Sequence, residues 1–362
     1  MKLTGLWFTL ALLLGAGAAQ AAEKVVNVYN WSDYIDESIL RDFERETGIK
    51  VVYDTYDSND ILETKLLAGK TGYDVVVPTS GFLAREIRAG VLRPLDKSKL
   101  PNLVHFSPTI AERMQKFDPG NKYAVVYMWG TSGIGYNVDK IAKRMADAPV
   151  DSLRMIFDPA VVAKFADCGV YVLDAADELV PAALKYIGEN PDSKDPAVLE
   201  KAKAVLLKVR PYIRKFHSSE YIEALANGDI CLAYGWSGDV VQAKKRAEEA
   251  KNGVHVEYRV PREGAQMWFD SFAMPKDAPH PEAGLAFIDY MLRPEVIAKA
   301  SDYVFYPNAN KDADALVKAA VKSDPDVYPP AAVLPRLYTI SPFDQAAQRV
   351  LTRIWTQVKG AS

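Results

Sequence analysis

Between Val25 and Val77 the chain alternates between two hydrophobic periods, and that alternation limits the possible folds more than any other feature. Val25-Val26-Asn27-Val28-Tyr29-Asn30 is a β-branched run of strand type. Asp36 to Glu46 follows with Ile39, Leu40 and Phe43 on one helical face, and Gly48 stops it. Ile49 to Tyr53 reads as a second strand, Ser58 to Leu67 as a second helix closed by Gly69, and Tyr73 to Val77 as a third strand ended by Pro78. Strand–helix–strand–helix–strand predicts a parallel α/β sheet. In such sheets ligands sit outside the carboxyl ends of the strands. Trp31 to Tyr34 and Thr79-Ser80 are both at such ends.

The same signals recur later. Tyr123 to Tyr127, Gly133 to Asn137, Gly169 to Leu173, Asp229 to Tyr234 and Val254 to Val260 read as strands. Ser219 to Ala226 reads as a helix, and Pro279 to Lys299 as two helical pieces broken at Pro294. No tract rich in Pro, Gly or Ser divides the chain, so several short crossings are expected to join its parts. With 362 residues, two domains are expected rather than one core.

The N-terminus has the three parts of a secretory signal peptide over residues 1–21: Lys2, the apolar stretch Leu6 to Leu14, and the small-residue site Ala19-Gln20-Ala21. No cysteine follows that site to take a lipid, and no later segment has the length and purity of a membrane helix. An exported, soluble protein is expected. Beyond the leader 43 basic residues face 47 acidic ones, a balance that speaks against nucleic acid and suits a cationic ligand. Two cysteines, Cys168 and Cys231, in an oxidising compartment read first as one disulfide; two separate buried thiols are the other reading. Four histidines without ligand spacing predict no metal, and no motif calls for a cofactor.

Three runs pair tryptophan with aspartate: Trp31-Ser32-Asp33-Tyr34, Trp236-Ser237-Gly238-Asp239 and Trp268-Phe269-Asp270. An indole face attracts a cation and covers methylenes, and a carboxylate anchors an ammonium. The first two runs follow predicted strands. Asp33, Glu178, Asp239 and Asp270, with Trp31, Tyr34, Trp236, Trp268 and Tyr306, can therefore hold an aliphatic polyamine. The competing class is a secreted carbohydrate-active enzyme, in which paired carboxylates act on a glycosidic bond and tryptophans stack on sugars. A nucleophile elbow is excluded, because Gly235-Trp236-Ser237-Gly238-Asp239 has aspartate where the motif needs glycine. Gly133-Ile134-Gly135 lacks the third glycine of a dinucleotide loop. Trp129 and Trp355 read as core, and Asp174 with Asp177 as a helix N-terminal cluster.

Eight segments in order, among them YNWSDYI (Tyr29 to Ile35), GIGYNVDK (Gly133 to Lys140), LANGDICLAYGWSGD (Leu225 to Asp239), WFDSFAMP (Trp268 to Pro275) and VFYPNANK (Val304 to Lys311), carry a resemblance. The chain is similar to the periplasmic putrescine/spermidine-binding proteins of bacterial ABC importers. That resemblance implies a two-lobed periplasmic-binding-protein fold of type II, with a hinge and an interlobe cleft. Lobe 1 would comprise residues 22–130 and 257–323, and lobe 2 residues 131–256 and 324–362, the last part as C-terminal helices. Trp31, Ser32, Asp33 and Tyr34 would line the cleft from one lobe, with Trp236 and Asp239 opposite. Asp270 would hold an inner amine, Glu178 the far amine, Thr79 would supply a hydroxyl, and Tyr306 would close the aromatic box. Trp268 would tune diamine against triamine. Also implied are a Cys168–Cys231 disulfide, a monomer, a periplasmic location, and an inner-membrane permease with its ATPase as partners. A same-fold binder of iron or an amino acid is disfavoured, since acids here accompany tryptophans and no arginine lies in the Trp-Asp runs.

Overall fold

The computed structural model describes residues 24–361; the leader expected at residues 1–21 lies outside the described residues. Eleven strands occur among them: β1 (Val25–Trp31), β2 (Lys50–Tyr56), β3 (Val75–Val76), β4 (Leu92–Arg93), β5 (Ala124–Asn137), β6 (Val170–Val172), β7 (Lys215–Phe216), β8 (Leu232–Trp236), β9 (Val256–Arg259), β10 (Ala265–Pro275) and β11 (Leu337–Tyr338). They follow the hydrogen-bonded order β2-β1-β3-β10-β5-β8-β6-β7, with β4 and β11 on β10 and β9 on β5. Fifteen α-helices accompany them.

Local chemistry sets the first elements. Asp36 accepts the Ser38 N–H at the start of helix Glu37–Thr47, and Gly48 ends it at φ 67°. Ser58 caps helix Asn59–Ala68 in the same way. β1 lies parallel to β2 and to β3, as the alternation predicts. The parallel run ends there, since β10 is antiparallel to β3 and β5 is antiparallel to β10. A mixed α/β sheet results.

The two strands expected at 123–127 and 133–137 are one strand of 14 residues. Its glycine-rich middle is not a break. Residues 124–131 pair with β10, and residues 132–137 pair with β8 and β9 on the far side. Each half finds partners, so the backbone stays extended through the glycines.

Buried side chains form two clusters. One gathers β1 to β3, the first half of β5, most of β10 and helices Pro281–Met291 and Pro294–Val304. The other gathers the second half of β5, β6, β8, β9 and helices Ala176–Tyr186, Pro196–Val209 and Gln345–Gly360. β5 runs from one to the other, and β10, in the first cluster, pairs with β11, whose Tyr338 packs on the second. Tyr258 belongs to the second cluster and Val327 to the first, a few residues beyond the expected limits at 256 and 323. Cys168 and Cys231 are joined in a disulfide inside the second cluster, at a sequence separation of 63.

Candidate functional site

The C-terminal ends of the strands open onto one cavity of about 670 Å³ between the two clusters. Ten of the eleven candidate residues line it: Trp31, Ser32, Tyr34, Thr79, Glu178, Trp236, Asp239, Trp268, Asp270 and Tyr306. Trp31 is the last residue of β1 rather than part of the following loop, and its indole N–H donates to the Val77 carbonyl at 2.9 Å. Asp33 stands apart, contrary to expectation. It turns away at φ 55°, is exposed, and pairs with Arg246 at 2.7 Å. Arg246 lies on helix Ser237–Ala250 beside the opposite cluster and also binds Glu223, so Asp33 clasps the two halves from outside the cavity.

Three carboxyls reach the cavity from the interior, each by a different device. Asp270 sits where the β10–β5 register shifts, between Asp270 and Ser271. Such a bulge re-aims a side chain out of the alternation, here toward Thr79 and Tyr34. The Thr79 hydroxyl donates to Oδ1 at 2.6 Å and the Tyr34 hydroxyl to Oδ2 at 2.9 Å. Asp239 lies in the first turn of helix Ser237–Ala250, where the helix dipole favours a negative charge. It accepts from Tyr221 at 2.7 Å and from Tyr306 at 2.8 Å. Gly238 permits this close approach, because a Cβ there would stand 2.5 Å from the Tyr306 ring. Glu178, in the first turn of helix Ala176–Tyr186, accepts from Ser132 at 2.7 Å and from the Trp236 indole at 3.4 Å.

Burial pushes the Asp270 carboxyl up to about 7; the Thr79 and Tyr34 hydroxyls hold it down in part, and Asp239 adds to the rise. Burial likewise lifts Asp239 to about 6, against its two tyrosine donors. Glu178 is raised by burial first and by neighbouring Asp177 second. Among the described residues no lysine, arginine or histidine lines the cavity. Aromatic rings form its walls in an edge-to-face chain: Trp31 to Trp236 at 5.5 Å, Trp236 to Trp268 at 6.4 Å, Trp268 to Tyr306 at 5.2 Å and Tyr306 to Tyr34 at 5.5 Å.

An acidic rim of Asp57, Asp60, Asp174 and Asp177 also lines the cavity; sequence reasoning missed Asp57 and Asp60 and read Asp174 with Asp177 as a helix N-terminal cluster, not as site residues. Asp57 follows β2 just as Ser32 follows β1, so the strand-end rule applied to β2 would have found it. Asp174 accepts from Trp355 and Lys359, and Trp355 packs on Phe216 in the second cluster, as core. Trp129 packs against the first cluster.

Residues 38–329 match the model of a family described as bacterial extracellular solute-binding protein. The putrescine-binding periplasmic protein SpuD of Pseudomonas aeruginosa is 52% identical over 95% of this chain and 94% of its own. The putrescine-binding periplasmic protein PotF of Escherichia coli is 50% identical over 99% and 97%. A solved structure of a putative spermidine/putrescine ABC transporter from Listeria monocytogenes superimposes with a TM-score of 0.83 at 30% identity, covering 94% of this chain and all of that one. These relatives are named as binding proteins and a transporter component, not as enzymes. The chain belongs to the family of bacterial extracellular solute-binding proteins.

Proposed function

We propose that this chain is a periplasmic receptor that captures a polyamine, putrescine or spermidine, between its two lobes and delivers it to an inner-membrane ABC permease and its ATPase. One observation carries the reading: two buried carboxyls, Asp270 and Glu178, and the half-buried Asp239 converge on an aromatic-walled cavity that no basic side chain lines among the described residues. Buried charge without a counter-ion is costly. An organic dication or trication supplies the missing charge and offers methylenes to the rings. Four methylenes contribute about 3 kcal/mol on burial, and each ring facing an ammonium about 0.5–2 kcal/mol. These terms reach micromolar affinity without any reacting group. The names of relatives such as SpuD and PotF point to the same ligand class.

In this reading Asp270, with Thr79 and Tyr34, holds the inner ammonium, and Asp239 and Glu178 attract the rest of the chain. Trp31, Trp236, Trp268 and Tyr306 cover the methylenes, and Trp268 selects chain length. The two hydrophobic clusters are the lobes, hinged where β5 and the β10–β11 pair cross and closing as a monomer. The test is calorimetric titration of ligand-stripped protein with putrescine, cadaverine, spermidine and spermine. Heat with at least one of them is expected. Silence with all four, alongside binding of a sugar or an amino acid, overturns the reading.

A further inference from the structure

One buried hydroxyl joins two residues of the cavity without touching it. Tyr221 opens helix Tyr221–Ala226, has no exposed surface, and is absent from the cavity lining. Its hydroxyl donates to Asp239 Oδ2 at 2.7 Å and accepts the Trp236 backbone N–H at 3.0 Å. A phenol has one proton. The backbone N–H occupies its lone pair, so that proton is aimed at the carboxylate, and a chain from amide to hydroxyl to carboxylate results. Gly235 makes the approach possible, since a Cβ there would stand 2.5 Å from the Tyr221 ring. The Trp236 peptide is also the junction between β8 and helix Ser237–Ala250, so the hydroxyl fixes the point from which both the indole and Asp239 project.

From this geometry we infer that Tyr221 is a positioning residue for ligand capture, setting the orientation and charge of Asp239 and the seat of Trp236 from behind the cavity wall. The inference rests on the polyamine reading above. Tyr306 supplies the other donor to Asp239, but Tyr306 packs in the first cluster and lines the cavity. Tyr221 packs in the second cluster together with Val240 and Ala243 of Asp239's own helix. A phenylalanine fills the same volume, so the hydroxyl is the only thing the substitution removes. Without it the half-buried Asp239 carboxylate loses one of two hydroxyl donors, and its protonated form gains ground.

The experiment measures the dissociation constant of the polyamine that gives the strongest calorimetric signal, from about pH 5.5 to 8.5, a span that brackets a raised carboxyl. Wild type, Tyr221→Phe, Asp239→Asn and the double variant are compared. Tyr221→Phe is expected to bind about tenfold more weakly at neutral pH, with the acid limb of the profile moved up by roughly one pH unit. In the Asp239→Asn background the same change should cost clearly less, leaving only the part carried by the Trp236 N–H bond. An unmoved acid limb with affinity within twofold, or an equal loss in both backgrounds, overturns the assignment. Should Tyr221→Phe not fold, Gly235→Ala crowds the ring while leaving the hydroxyl, and the same shift is expected; an unmoved limb there overturns it too. If wild type binds no polyamine, the functional reading has failed instead. The inference is then decided by the carbon-13 titration of the Asp239 carboxyl, whose midpoint must rise in Tyr221→Phe.

Discussion

Asparagine at position 270 keeps the shape of the side chain and removes its charge. Burial lifts the Asp270 carboxyl from 3.8 to about 7, a difference equivalent to about 4 kcal/mol between the two protonation states. The folded value lies above the unfolded one. The penalty is therefore absent below the unfolded value, grows as pH rises, and is complete above about 7. Ligand-free Asp270→Asn should accordingly be more stable than wild type at pH 8 and about equal to it at pH 4. The gain will be less than the full figure, because the new amide must donate to the Tyr34 or Thr79 hydroxyl that now donates to the carboxylate. A net rise of roughly 1–3 kcal/mol is expected, about 2 °C in melting temperature per kcal/mol. Binding should move the other way. A carboxylate about 4 Å from an ammonium contributes up to ~4 kcal/mol at an effective dielectric near 20, so a loss of about 100-fold or more is expected. Denaturant titration without ligand at both pH values, and calorimetry with it, read the two effects. A variant destabilised at pH 8, or one that keeps wild-type affinity, refutes the reasoning.

Three further outcomes are expected. Affinity should fall as pH drops from about 8 to 5, because Asp270 at about 7 and Asp239 at about 6 bind a cation only when ionised; a profile flat over that range counts against both. Replacing Cys168 and Cys231 by serine should lower stability by about 4 kcal/mol on the loop-entropy model for a separation of 63 residues, with ligand affinity unchanged at low temperature; thermal melts with and without reductant check this. Arg246→Ala breaks the clasp to Asp33 between partly exposed side chains. Its cost to stability should stay under about 1 kcal/mol, while stopped-flow dissociation of ligand speeds up several-fold.

Much of the site was legible because strand ends are legible. β-branched runs closing on Trp31, on Pro78-Thr79 and on Trp236 gave three pieces of the cavity wall. The place of Asp270 was not readable, since it depends on a bulge within a fully buried strand, where no alternation marks a face. Asp33 was misplaced for a related reason. Its neighbours Ser32 and Tyr34 line the cavity, but a left-handed backbone at Asp33 sends its carboxylate to Arg246, which is 213 residues away. The continuous β5 was hidden by its glycines, which permit close approach of Tyr258 and Trp268 instead of ending the strand. Tyr221 left no sequence signal, because its partners lie 15 and 18 positions downstream and meet it only through packing.

The most direct measurement is the number of protons exchanged when the polyamine binds, read from the binding enthalpy in buffers of different ionisation heat. Near pH 6.5 the Asp270 and Asp239 carboxyls are partly protonated in the free receptor and must ionise to hold an ammonium. Release of one proton or more per ligand is predicted there, the raised Glu178 carboxyl adding to the two aspartates. An enthalpy independent of buffer near pH 6.5, or proton uptake, would contradict a site in which buried carboxylates seize a cationic amine.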